Sequence, residues 1–189
     1  MFIQTELTPN PETLKFLPGR VVMKEGTVFF QSKAEAQNSP LAKKLFSIDD
    51  VTGGFFGSDF ITITKNEKSD WQVLKPIVMG SITDNFNSGE DIVTKVFIEE
   101  KKQSSHSSKT EEDTDIVKQI KELLDTRVRP AVSMDGGDIV YQGFKEGIVY
   151  LHMQGACSGC PSSTATLKMG IENMLKHYIP EVKEVRPVK

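Results

Sequence analysis

Both cysteines of this 189-residue chain stand in one stretch, Gly155-Ala156-Cys157-Ser158-Gly159-Cys160-Pro161-Ser162-Ser163. Glycines and serines keep the surroundings of the two sulfurs sterically open. Residues 148–153 read as a strand before the stretch, and residues 162–178 read as an amphipathic helix after it. Proline suits the first helical position, where its missing N–H costs nothing. That places Cys160 at or near the N-cap and Cys157 one loop earlier. Unpaired N–H groups and the positive end of the helix dipole favour anionic sulfur, so a lowered thiol pKa is expected there. Iron, zinc and disulfide exchange all require thiolate, and the local pattern alone does not separate the three.

The surroundings weigh them. A thioredoxin-like dithiol oxidoreductase needs several strands and helices after the pair, whereas 29 residues follow Cys160, enough for one helix and one strand. An aromatic-Cys-Gly-Pro-Cys pattern is also missing. Two cysteines do not make a secreted disulfide framework, and a Cys-x-x-Cys pair in a reducing compartment is more often metal-binding or redox-active than structural. Iron–sulfur clusters and structural zinc usually take four protein ligands, and one chain offers two cysteines. His152 and His177 are the nearby histidines, but His177 would have to reach across the length of its own helix. The simplest route to four thiolates is two chains, each giving Cys157 and Cys160 across a two-fold axis. Such a shared, exposed site suits handing a metal on.

The elements that hold this stretch form the second part of the chain. Thr114 or Asp115 caps a helix with Ile116, Ile120, Leu123 and Leu124 on one face and Val117 alongside, and it is expected to end near Arg129-Pro130. Met134-Asp135-Gly136-Gly137-Asp138 reads as a turn, in preference to a site where Asp135 and Asp138 ligate a hard cation. A hairpin follows, with strands at 139–144 and 148–153 around Lys145-Glu146-Gly147. The helix at 162–178 presents Leu167, Ile171, Met174, Leu175 and Tyr178 to the core. Pro180 stops it, and residues 182–188 give a last strand. Residues 99–113 contain no apolar side chain and cannot offset the entropy of ordering, so they read as a flexible tether, with His106 solvated.

The first part, residues 1–98, reads as a small α+β domain without a visible active site. Strands are expected at 2–7, 28–30, 51–56 and 60–65, and a turn or helical stub at 12–17. A helix opens at Ser39-Pro40, and another spans about 70–86 with Trp71, Leu74, Ile77, Val78, Ile82 and Phe86 inward, with Pro76 a kink or a later start. Gly53-Gly54-Phe55-Phe56-Gly57 lacks the spacing of a nucleotide loop, and Asp49-Asp50 reads as an exposed loop. The whole is α+β: two small α/β domains joined by a polar linker, the second running helix–hairpin–helix–strand with Cys-x-x-Cys at a helix N-terminus. A net charge of −3 gives no footprint for nucleic acid, and no apolar run approaches the roughly 20 residues of a membrane span. The first residues lack the pattern of a signal or transit peptide. A bacterial cytoplasm is therefore expected, or the mitochondrial matrix after removal of a presequence.

From Met134-Asp135-Gly136-Gly137-Asp138 through Gly155-Ala156-Cys157-Ser158-Gly159-Cys160-Pro161, the second part resembles the C-terminal domain of the NifU-like (Nfu) iron–sulfur proteins. Phe2-Ile3-Gln4-Thr5-Glu6, Thr8-Pro9-Asn10-Pro11 and Gly53-Gly54-Phe55-Phe56 resemble the N-terminal domain that accompanies it. The polar stretch at 99–113 divides the chain into domains at 1–98 and 114–189, and the resemblance implies a non-enzymatic scaffold or carrier. It also implies a [4Fe-4S] cluster, alternatively [2Fe-2S], held between two subunits by Cys157 and Cys160 of each. Homodimerisation through the cluster, an upstream assembly scaffold as donor and apo iron–sulfur proteins as recipients follow as implied partners.

Overall fold

The computed structural model describes residues 2–94, 114–158 and 161–188, with backbone alone at 161–163. The proposed tether at 99–113, with His106, lies outside the described residues, as do Gly159 and Cys160. The chain divides into two compact units, Met1–Ser108 and Lys109–Lys189.

The first unit is built on an antiparallel sheet of strands β1 (Gln4–Leu7), β2 (Thr13–Leu17), β3 (Val28–Phe30), β4 (Val51–Phe56) and β5 (Ile61–Lys65), in the order β1-β2-β5-β4-β3. Residues 12–17 were expected as a turn or stub and are instead the strand β2. Leu14 and Phe16, two apart, drop into the core, and the strand pairs with both β1 and β5. Helix α1 (Pro40–Phe46) starts as expected, with Ser39 Oγ accepting from the Ala42 N–H and Pro40 in the first turn. Helix α2 (Trp71–Ser88) is capped by Asp70, runs through Pro76 without a later start, and ends on Gly89 at φ +69°. One face of it, Leu74, Val78 and Ile82, is buried. That packing outweighs the single hydrogen bond proline removes. Ile77 falls off this face and is half exposed, and Asn85 takes a buried place further along.

The second unit opens with α3 (Asp115–Leu123), capped by Thr114, whose Oγ1 accepts from the Val117 N–H. The helix does not stop at Arg129-Pro130. It widens into one π-helical turn, Leu124–Val128, and resumes as α4 (Arg129–Met134), with Pro130 in the first turn of the new segment. There the absent N–H is tolerated. Val117, Ile120, Leu124, Val128 and Val132 stay buried along the whole run, so the apolar stripe, not the proline, decides its length.

Strands β6 (Gly137–Lys145) and β7 (Ile148–Gly155) form the expected hairpin, longer at both ends than the sequence suggests. Glu146 and Gly147 turn it at φ +54° and +86°, the positive angles a two-residue hairpin loop requires. Helix α5 (Pro161–Tyr178) crosses to β8 (Glu184–Val188), which pairs parallel with β7 and begins two residues later than expected. Ile171 and Leu175 are buried with Ile179, whereas Tyr178 is half exposed and lies off the core face. The core of the unit lies between these helices and one face of the sheet. On β7, Val149, Leu151 and Met153 are buried, and the residues between them are only partly so.

Candidate functional site

Cys157 follows the last residue of β7 by two positions and is 6% exposed. It belongs to the same apolar cluster as Val132, Ile139 and Met153. Two glycines shape the approach. Gly155 ends the strand at φ +64°, and Gly136 at φ +82° turns the chain from α4 into β6. The Ala156 N–H donates to Gly136 O at 3.1 Å, the Ser158 N–H donates to Gly155 O at 3.0 Å, and Thr164 Oγ1 on α5 donates to Cys157 O at 3.0 Å. The backbone around the cysteine is thus tied to the turn before the hairpin and to the helix after it.

Gly137 is the floor of this seat. It pairs with Gly155 across the ladder. A Cβ added to it would stand 2.6 Å from Cys157 Sγ, 2.6 Å from Gln154 O and 3.1 Å from Cys157 N. The Met134-to-Asp138 turn and the cysteine stretch, some twenty residues apart, are one structure. The turn was legible in the sequence, but nothing in its spacing signalled that its second glycine lies against the thiol.

Asp138 was read as part of that turn, and as a hard-cation ligand only in a lesser alternative. It is buried and bound by a side chain of α4: Arg129 Nε donates to Oδ1 at 2.9 Å and Arg129 Nη2 donates to Oδ2 at 2.9 Å. This pairing keeps the guanidinium charged, with its pKa raised above the usual value. Asp135 is exposed. Among the described residues no group of three or more His, Cys, Asp and Glu side chains could hold a metal. His152 lies between the buried Leu151 and Met153, so the strand alternation puts it on the other face of the sheet, where its Nδ1 is 3.2 Å from Val188 O. His177, exposed in the last turn of α5, is 16 residues past Pro161, roughly 24 Å along the helix axis. Neither histidine joins Cys157.

The expected lowering of a thiol pKa at the helix mouth does not hold for Cys157. Burial desolvates the sulfur, and the Asp135 and Asp138 carboxylates add like charge, so its pKa is pushed up to about 12. The thiol is stowed protonated. A folded value above the unfolded one means that the native state holds this proton more tightly. The associated stability is complete below about pH 8.5, the unfolded thiol pKa, and is lost as pH rises towards 12. At pH 10.5 the loss should be about 3 kcal/mol. Urea unfolding at pH 8 and pH 10.5 should show the native chain losing more stability than Cys157→Ala; an equal loss in the two would contradict the buried thiol.

The fold and this seat define a two-domain α+β protein whose second domain presents a cysteine loop between a hairpin and a helix. A family model described as NifU-like domain matches residues 120–186, and one described as Scaffold protein Nfu/NifU N terminal matches residues 3–89. The chain belongs to the Nfu/NifU family. It is 52% identical over 189 residues to the human protein named NFU1 iron-sulfur cluster scaffold homolog, mitochondrial, covering all of this chain and 72% of that one. It is 51% identical over 188 residues to NifU-like protein 4, mitochondrial, of Arabidopsis thaliana, covering 98% of this chain and 65% of that one. A solution NMR structure of a NifU-like protein from Saccharomyces cerevisiae is similar over 50% of this chain and 86% of its own, with 28% identity and a TM-score of 0.46. The chain thus spans between about two-thirds and three-quarters of these curated relatives' length.

Proposed function

We propose that the chain is a scaffold and carrier for an iron–sulfur cluster, which it holds as cargo between two copies and passes to apo-proteins. Cys157 and Cys160 of each copy supply the thiolates. The count carries this reading: two cysteines are half of the four thiolates a cluster takes, in a chain whose relatives are named cluster scaffolds. The seat of Cys157 fits a soft ligand that is stored and then released. The sulfur has room only because residue 137 has no side chain, and His152, the histidine of the adjoining strand, lies on the other face of the sheet.

The cluster in this account is [4Fe-4S], with [2Fe-2S] the alternative. An upstream assembly scaffold donates it and apo iron–sulfur proteins receive it, so the chain turns over no substrate of its own. The relatives' names place them in mitochondria, which favours the mitochondrial matrix; the bacterial cytoplasm gains no support from them. Among the described residues no helix is long and apolar enough to cross a membrane. The division at 1–98, 99–113 and 114–189 belongs to the same reading, with the first domain serving contact with partners. Removing residues 1–98 should slow transfer to at least one acceptor; unchanged rates to every acceptor would contradict that role.

Anaerobic reconstitution with iron and sulfide tests the main reading. The protein should turn brown and contain about four irons and four sulfides per two chains. A colourless protein with one zinc per dimer would make it a zinc-binding interaction module. A monomer that reduces insulin disulfides would make it an oxidoreductase. Either result would overturn the proposal.

A further inference from the structure

The π-helical turn at Leu124–Val128 interrupts an otherwise regular helix, and such turns are frequent at functional sites. Arg129 is the first residue after it. Its guanidinium forks both oxygens of Asp138 at 2.9 Å, and Nη1 donates to Asp125 Oδ1, inside the π turn, at 3.1 Å. Asp138 Oδ1 also accepts from the Ile139 N–H at 2.8 Å. The Asp138 side chain is 6% exposed and that of Arg129 is 43% exposed, so the arginine closes a carboxylate that is otherwise inside the protein.

Asp138 adjoins Gly137, which lies against Cys157 Sγ, and Gly136 O holds the Ala156 N–H. We propose that Arg129 is a positioning residue for the cysteine loop: by fixing Asp138 it fixes residues 136–138, and these fix 155–157. The proposal rests on Cys157 being a ligand, but the placement of the loop is a property of the metal-free chain and is measured there. Arginine is required because a planar fork meets both carboxylate oxygens at once, which an ammonium cannot do.

Amide hydrogen exchange on the full metal-free chain tests this, comparing Ala156 in the loop with Val149 and Leu151 in the buried centre of β7. Arg129→Gln should speed exchange at Ala156 about tenfold while the two core amides change less than twofold, as local opening does. Arg129→Lys should restore only part of the protection. If Arg129→Gln fails to fold, Asp138→Asn is the second variant and should loosen Ala156 in the same way. Equal acceleration at Ala156, Val149 and Leu151 would make the pair a general structural tie and overturn the proposal, as would no change at Ala156. Iron content plays no part in this readout, so loss of the carrier reading and loss of this one are separable.

Discussion

Replacing Gly137 by alanine is expected to displace the cysteine loop and destabilise the second domain by about 1–3 kcal/mol, the usual cost of forcing extra volume into a packed interior. The new methyl would sit 2.6 Å from the thiol sulfur and 2.6 Å from the Gln154 carbonyl, both closer than carbon can approach. Gln154 O belongs to β7, the central strand of the sheet, and cannot retreat without disturbing the pairing of Gly137 with Gly155. Moving the sulfur relieves only one of the two contacts, so the cysteine loop and the Gly137–Gly155 pairing must both shift. A lower melting temperature together with poorer cluster loading is the expected pair of results. By contrast Gly170, on α5, meets nothing within 4 Å where a Cβ would go, so Gly170→Ala should leave loading intact and serves as the control. Equal loading by the two variants would show that the seat does not govern the site.

Cys157→Ser is expected to remove cluster binding altogether, and Cys160→Ser to do the same. A hydroxyl is a hard, poorly ionised donor where iron in a cluster takes thiolate. In the shared arrangement one substitution removes two of the four ligands at once. Loss of brown colour should be at least tenfold in iron content, and the cluster-dependent dimer should vanish with it. Because Cys157 is buried in the apolar core, serine also carries a burial cost of about 1–3 kcal/mol. Cys157→Ala separates the two effects: it should melt closer to the native chain and still bind no cluster. A cluster retained by Cys157→Ala would mean that the ligands lie elsewhere.

Much of this architecture is written locally in the chain. Ser39-Pro40, Asp70 and Thr114 mark helix starts by their own hydrogen-bonding chemistry, and Glu146-Gly147 marks a tight hairpin. The strand β2 was hidden because Pro9, Pro11 and Pro18 crowd a five-residue segment whose order comes from two neighbouring strands. Arg129-Pro130 misled in the same direction. A proline usually ends a helix, and only the buried stripe from Val117 to Val132 shows why the chain continues through a π turn. The cysteine pair was the clearest chemical signal, yet the state of its first thiol was not readable. Burial against Gly137 and the nearness of Asp135 and Asp138 arise from contacts between segments twenty residues apart, and they reverse the shift that the helix mouth alone would give.

The stowed thiol gives the carrier reading a physical content. Burial and two nearby carboxylates raise the Cys157 pKa, so in this account taking up the cluster goes with release of the thiol proton. Native mass spectrometry of the anaerobically reconstituted chain tests the shared site most directly. The cluster mass should appear only on a species of twice the 21.1 kDa chain, and removing iron with a chelator should return that species to single chains. A cluster carried by a single chain, or a dimer that persists unchanged after the iron is stripped, would contradict it.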